Sequence, residues 1–185
     1  MTRETNTLTI MGQAAKNAAR ILATLSGAQR QNALAAMPKK LLSVKDELLE
    51  ANAADVAAAR RAGQTEAMVK RLLITEKIFN YMLERLQEVA ELPDPLGRIL
   101  EGHTRPNGLV VQKISVPIGV IGIIYEARPN VTTDAAAVCL KSGNAVILRG
   151  GSESLASNLV LADAMSAALQ ENGIPPHALQ IIRIP

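Results

Sequence analysis

The amino-acid sequence predicts an α/β protein in three consecutive parts: a helical region over residues 1–92, a pair of strands over 93–118, and the first half of a parallel-sheet domain over 119–185. Three observations carry this. Apolar residues recur at helical spacing through the first half, between side chains suited to cap helices. Prolines, glycines and β-branched residues then crowd the stretch from Pro93 to Pro117. From Gly119 onward, apolar runs of strand length alternate with runs of helix length, the pattern of a right-handed, mainly parallel sheet.

In the helical region, Ile10, Ala14, Ala18, Ile21, Leu22 and Leu25 form one apolar face. Ser26 with Gln29 makes a capping-box pattern, so one helix ends near Leu25 and the next starts after Ser26. Pro38 lacks an N–H and crowds the preceding turn, and is expected to kink that second helix or restart it. Ser43 is expected to cap a third helix through Leu48, Leu49 and Val56, closing near Gly63. Thr65 and Thr75 are expected to cap two more, the last carrying Ile78, Met82, Leu86 and Val89 and stopping before Pro93-Asp-Pro95.

Leu109 to Val116 is rich in β-branched residues and reads as a strand, the second arm of a hairpin whose first arm lies near Arg98 to His103; Pro117 ends it. Gly119 to Tyr125 is expected to be a buried strand, Thr132 to Lys141 an Ala-rich helix, and Ser142-Gly-Asn144 a turn. A strand at Ala145 to Leu148, a helix from Ser154 to Glu171 and a strand at Leu179 to Ile184 follow. This βαβαβ run is Rossmann-like, but sheets average ~5–6 strands, so on fold grounds three strands read as an unfinished sheet.

Composition narrows the function. Hydrophobic residues make up 48% of the chain and aromatics 2%, so the core must be aliphatic. The net charge of +3 is spread along the chain with no Lys/Arg block and no interleaved aromatics, which argues against nucleic-acid binding. The single Cys139 excludes an internal disulfide and suits a reducing compartment. No apolar signal segment opens the chain, and no run approaches the ~18 apolar residues of a membrane span. A cytoplasmic protein without a membrane partner is expected.

Chemistry concentrates at two strand ends. In the first, Tyr125-Glu-Ala-Arg-Pro-Asn130, the Asn130 amide can cap the following helix or donate to a developing oxyanion. Arg128 can clamp a carboxylate or phosphate, or simply pair with Glu126. In the second, Arg149-Gly-Gly-Ser-Glu153, Gly150 and Gly151 allow close backbone approach to a ligand. Ser152 and Glu153 can bind ribose hydroxyls, and Arg149 a 2′-phosphate. A plain Gly-Gly turn is the alternative, since neither a Walker loop nor a G-x-G-x-x-G fingerprint is present. Cys139, between Val138 and Leu140, reads as a buried structural thiol. His103 and His177 have no metal-ligand or triad partners at a recognisable spacing, so no metal is expected.

Val116 to Val131 and Leu140 to Gly151 closely resemble the gamma-glutamyl phosphate reductases, also called glutamate-5-semialdehyde dehydrogenases, within the aldehyde dehydrogenase superfamily. Tyr125-Glu-Ala-Arg-Pro-Asn130 is the most specific segment, and Glu50-Ala-Asn-Ala-Ala-Asp-Val56 resembles the family's helical N-terminal region. The resemblance implies an aldehyde-dehydrogenase-like fold, with residues 93–118 as interface strands of a homo-oligomer. It implies reduction of gamma-glutamyl phosphate by NADPH to glutamate 5-semialdehyde and phosphate in proline biosynthesis, with glutamate 5-kinase as pathway partner. Asn130 then matches the superfamily's oxyanion-hole Asn. The backbone of Tyr125, Glu126 and Ala127 would line the nicotinamide, Arg149 to Glu153 would bind NADP(H) near the adenosine ribose, and Arg128 would hold the substrate's carboxylate or phosphate. The match at the second turn is loose, because Arg-Gly-Gly stands where many relatives have Lys-Pro. Family members are longer, and their catalytic Cys lies in a domain that this chain lacks; Cys139 does not match it. The chain resembles their N-terminal portion and is expected to be inactive alone. The competing expectation is a non-catalytic short paralogue that binds a nucleotide or a partner subunit through the strand at Leu109 to Val116.

Overall fold

The computed structural model describes residues 3–183. Five helices come first: α1 (Arg3–Leu22), α2 (Gly27–Ser43), α3 (Lys45–Arg61), α4 (Glu66–Leu72) and α5 (Glu76–Glu91). Three of their starts follow the sequence. The Ser26 hydroxyl accepts from the Gln29 N–H and the Gln29 side chain accepts from the Ser26 N–H, completing the capping box. Thr65 and Thr75 accept from the N–H groups of Met68 and Ile78.

Two expectations here are corrected. Pro38 does not restart α2, which runs unbroken from Gly27 to Ser43. An interior Pro costs ~3 kcal/mol, but Leu34, Met37 and Leu41 on the same helix are fully buried. Burial contributes ~1.5–3 kcal/mol per such side chain, which outweighs the cost. Ser43 does not cap α3; its hydroxyl donates to the Lys40 carbonyl at 2.7 Å. Val44 holds the cap position at φ −113, ψ 15, and makes no side-chain cap bond. The chain therefore passes from α2 to α3 without the extended residue that a capping side chain needs.

The hairpin follows as β1 (Ile99–Thr104) and β2 (Val110–Ile114), antiparallel, with a bulge between Ile99 and Glu101. Its turn needs Gly108, which sits at φ +84. Every residue of both strands is exposed. At its base, Arg30 of α2 donates to both oxygens of Asp94 at 2.7 and 2.8 Å, and Asp94 also accepts from the Leu96 N–H.

The second sheet orders β3 (Val120–Ile124), β4 (Ala145–Arg149) and β5 (Leu179–Ile181) side by side, all parallel. Between them run α6 (Pro129–Lys141) and α7 (Leu155–Glu171). Ile184, expected to end the last strand, lies outside the described residues. β3 is not the buried strand expected from its apolar run. Its residues alternate between exposed and half-buried, and Ile124 is 86% exposed. β3 is an edge of the described sheet, and only Ile121 and Ile123 pack against the core. β4, the central strand, is the buried one.

One aliphatic core crosses the helical region and the sheet. Leu22 of α1, Leu34 of α2, Phe79 of α5, Leu148 of β4 and Leu161 of α7 are all fully buried in it. Asn144 sets the strand register that matters for the site. Its side-chain oxygen accepts from the Gly119 N–H at 2.8 Å and its amide donates to the Ser142 carbonyl. With that end pinned, Val120 pairs with Ala145 and Ile124 with Arg149, so β3 and β4 finish level. Among the described residues no helix is long and apolar enough to cross a membrane.

Candidate active site

Because β3 and β4 end at the same height, their exit turns meet. The Tyr125 N–H donates to the Arg149 carbonyl at 3.0 Å, and the two chains then stay in contact. A Cβ on Gly151 would stand 2.9 Å from the Ala127 nitrogen and 3.2 Å from its Cα. A Cβ on Gly150 would stand 3.1 Å from the Tyr125 ring and 2.3 Å from the Asn158 amide nitrogen. The two glycines thus dock one turn onto the other. Ala127 packs in turn against Val56 and Ala59 of α3 and Val69 and Leu72 of α4, which seat this end of the sheet on the helical region.

A buried chain of hydrogen bonds joins the same two turns. The Tyr125 hydroxyl lies 2.7 Å from the Thr132 hydroxyl, which donates to Asn158 at 2.9 Å. The Asn158 amide donates to Ser154 at 2.9 Å, and Ser154 donates to the Gly151 carbonyl at 3.1 Å. Burial pushes the Tyr125 phenol up, against the opposing pull of its bond to Thr132, so it stays protonated. A second buried set fixes the start of α7: Asp55 accepts from the Ser157 N–H and hydroxyl at 2.8 and 2.7 Å, while Asn52 donates to Ser157 and to the Leu72 carbonyl. Thr132, Ser154 and Asn158 were not among the residues expected to matter. Ser154, at the cap position just before α7, and Asn158 in its first turn precede Leu161 and Met165, so polar residues at core-facing spacing were the available signal.

Asn130 is not the cap of α6, which begins at Pro129, three residues before the expected start at Thr132. Arg128 holds the cap position, extended at φ −136 and ψ 92 as a residue before Pro should be, with Pro129 at the first helical position. Asn130 sits in the first turn, and its side chain hydrogen-bonds Asp134 one turn on. Burial raises the Asp134 pKa, opposed by that bond and by Arg85. Glu126 and Arg128 do pair, at 3.6 Å, but Arg71 of α4 is nearer the same carboxylate oxygen at 3.1 Å.

In the second turn the Arg149 guanidinium hydrogen-bonds the Gly150 carbonyl. Ser152 is exposed, and Ser152 to Glu153 and Gln64 to Glu153 are long contacts of 3.5 Å. These groups can exchange partners at little cost. Cys139 is buried, and burial pushes its thiol up, so it is the inert structural thiol expected. His103 and His177 are exposed on separate elements, and no group of three or more metal-ligating side chains gathers among the described residues.

Comparison with known proteins adds to this geometry. A model of the aldehyde dehydrogenase family matches residues 3–184. The gamma-glutamyl phosphate reductase of Heliobacterium modesticaldum is 47% identical over 175 residues, covering 95% of this chain and 42% of its own. That of Moorella thermoacetica is 50% identical, covering 92% of this chain and 41% of its own. Among solved structures, the gamma-glutamyl phosphate reductase of Thermotoga maritima superposes with a TM-score of 0.93 at 37% identity, over 95% of this chain and 42% of that one. The Saccharomyces cerevisiae gamma-glutamyl phosphate reductase gives a TM-score of 0.89 at 32% identity, over 94% of this chain and 45% of that one. A probable aldehyde dehydrogenase from Listeria monocytogenes shares the fold, at a TM-score of 0.66 and 13% identity. The chain spans about two-fifths of the length of the curated relatives it matches.

Proposed function

The chain belongs to the aldehyde dehydrogenase family, and from that premise we propose that the whole protein reduces gamma-glutamyl phosphate to glutamate 5-semialdehyde, with release of phosphate and NADPH as reductant. One observation carries the reading: the turn bearing Asn130 and the turn Arg149–Glu153 are docked on each other at the level ends of parallel strands. Such ends are where open α/β sheets bind ligands. Curated gamma-glutamyl phosphate reductases 47–50% identical to this chain support the choice of substrate.

Each residue has a task in this reading. The Asn130 amide donates to the substrate carbonyl oxygen as it takes on negative charge. Arg128 holds an anionic group of the substrate. The backbone of Tyr125, Glu126 and Ala127 borders the nicotinamide. Gly150 and Gly151 hold the second turn in place, Glu153 and Ser152 bind ribose hydroxyls, and Arg149 faces the 2′-phosphate that distinguishes NADP(H). The donor set fits such a cofactor, since Ser152 and Glu153 are held only by long contacts. The cofactor supplies the hydride; the chain supplies binding, orientation and charge.

Cys139 is the chain's one cysteine, and it is buried with its thiol pushed up. The nucleophilic thiolate of the reaction is therefore assigned outside these 185 residues. The assay is phosphate-dependent reduction of NADP with glutamate 5-semialdehyde, run on the whole protein and on the 185-residue chain. The whole protein should turn over, and Asn130→Ala should lower its kcat by ~100-fold or more. The chain alone should not turn over, and activity in it would overturn the cysteine assignment. A whole protein that prefers another acyl phosphate or aldehyde would overturn the substrate.

The exposed apolar side chains of β1 and β2 support a homo-oligomer built through the hairpin. A cytoplasmic location, and glutamate 5-kinase as supplier of the acyl phosphate, go with this reading. The inert Cys139 favours one alternative for the isolated chain, a nucleotide-binding or subunit-assembly module.

A further inference from the structure

The cleft between the last turn of α4 and the first turn of α6 has a composition that the fold does not require. Lys70 and Arg71, Ile78 and Tyr81, and Arg128 and Asn130 line a volume of about 300 Å³. Three of these six are cations and none is acidic. The carboxylate paired with them is Glu126, which meets Arg71 and Arg128 through a single oxygen. Lys70 takes part in none of the ion pairs among the described residues. Three positive charges against the Glu126 carboxylate leave an excess of two; Asp134, against Asn130, is the other nearby carboxyl, and its burial favours the neutral form. Like charges held together repel, and a dianion in the cleft would relieve this. In the first turn of α6, Pro129 carries no N–H and the Val131 N–H already donates to the Arg128 carbonyl at 3.0 Å, so the helix adds the positive end of its dipole and the Asn130 N–H.

We propose that this cleft binds a phosphate-class dianion, with Arg71 and Arg128 as clamps, Lys70 as a mobile point charge and the Asn130 amide as the neutral donor. Guanidinium forks match phosphate oxygens in pairs, and an ammonium adds charge without a fixed geometry. A single carboxylate fits less well, because it offers two oxygens and neutralises half of the excess. One further step rests on the proposed reaction: the dianion is the phosphoryl group of the acyl phosphate, joined to the carbonyl that Asn130 faces. Lys70 and Arg71 are then substrate-binding residues contributed by the helical region rather than by the sheet.

The test is a titration of the isotope-labelled 185-residue chain with inorganic phosphate at low salt and about pH 7.5, where phosphate is mainly dianionic. The Asn130 side-chain amide and the first-turn amides of α6 should shift saturably, with a Kd of about 1 mM. Arg71→Gln and Lys70→Met should each weaken binding by about tenfold, while Glu126→Gln, which removes the competing carboxylate, should tighten it. All three side chains are exposed, so the remaining resonances report that each variant keeps its fold. Absence of a saturable shift, or an unchanged Kd in Arg71→Gln, overturns the site. Saturation by glutarate but not by phosphate at matched ionic strength also overturns it, in favour of a dicarboxylate. Assays of the whole protein separate the two readings. Phosphate binding without reduction of gamma-glutamyl phosphate retires the reaction and keeps the site; reduction without phosphate binding does the reverse.

Discussion

Gly151 sits at φ −56 and ψ 145, a conformation open to any residue, so its lack of a side chain matters only through space. A Cβ would meet the Glu153 carboxylate, which can swing away, and the Ala127 backbone, which cannot turn aside as a flexible side chain would. Gly151→Ala is expected to push the two turns apart, cost about 1–3 kcal/mol as overpacking does, and weaken binding of an adenosine nucleotide. Urea unfolding and a nucleotide titration check the two halves of that expectation. Asp94 makes a different case. Burial would raise its pKa, but the Leu96 N–H and the Arg30 guanidinium pull harder the other way and hold it below the ordinary 3.8. A carboxylate depressed in the folded state stabilises the fold above its unfolded pKa, and that stability is lost as pH falls through the folded one. Asp94→Asn should therefore cost about 2 kcal/mol at neutral pH. That is less than the ~3–5 kcal/mol of a fully buried pair, because the Asp94 side chain is 38% exposed. The difference from the parent chain should narrow below about pH 4, as read by urea melts across the pH range.

At the scale of elements, what could be read from sequence was what local chemistry decides. Ser26, Thr65 and Thr75 cap helices because an extended residue followed by free N–H groups is a local event. Ser43 as a cap and Pro38 as a restart misled because burial of Leu34, Met37 and Leu41 carries α2 through both positions, and burial is decided by partners far along the chain. The apolar run of β3 misled for the same reason: an apolar strand is buried only if something covers both faces. The link between α6, α7 and the two turns was equally out of reach, since Tyr125, Thr132, Asn158 and Ser154 meet only in the folded chain. Thr132→Val tests that link. It leaves the Tyr125 hydroxyl and the Asn158 carbonyl oxygen without their partner, and buried unsatisfied groups cost ~1–3 kcal/mol each. We expect a loss of about 2 kcal/mol and faster hydrogen exchange at Gly150 and Gly151, with Thr132→Ser restoring most of both. Unchanged exchange at the glycines would mean that the turns hold each other without the buried chain.

For the whole molecule, the sequence announced a hairpin and two polar strand ends, and the structure supplied the relation between them. The strand-end turns became one candidate site only through the register that buried Asn144 imposes. Lys70 and Arg71 joined it from a short helix whose basic last turn reads, in sequence, as ordinary dipole compensation. The hairpin shows the opposite relation: its strands were legible, but not the exposure of both their faces. Val110 is 62% exposed and Ile114 50%, four residues apart on one face of β2, with Ile99, 60% exposed, paired across from Ile114. An apolar ribbon of this kind, with open strand edges, is the usual starting point for sheet-to-sheet association. If a second copy covers it, the chain should self-associate at micromolar concentration in sedimentation, and the double substitution Val110→Glu, Ile114→Glu should leave it monomeric. Its unfolding midpoint in dilute solution should then change little, because substitutions at exposed positions usually stay within ~0.5 kcal/mol. A double variant that still associates would move the interface elsewhere, and the exposed outer face of β3, with Ile124 and Val120, would be the next surface to charge.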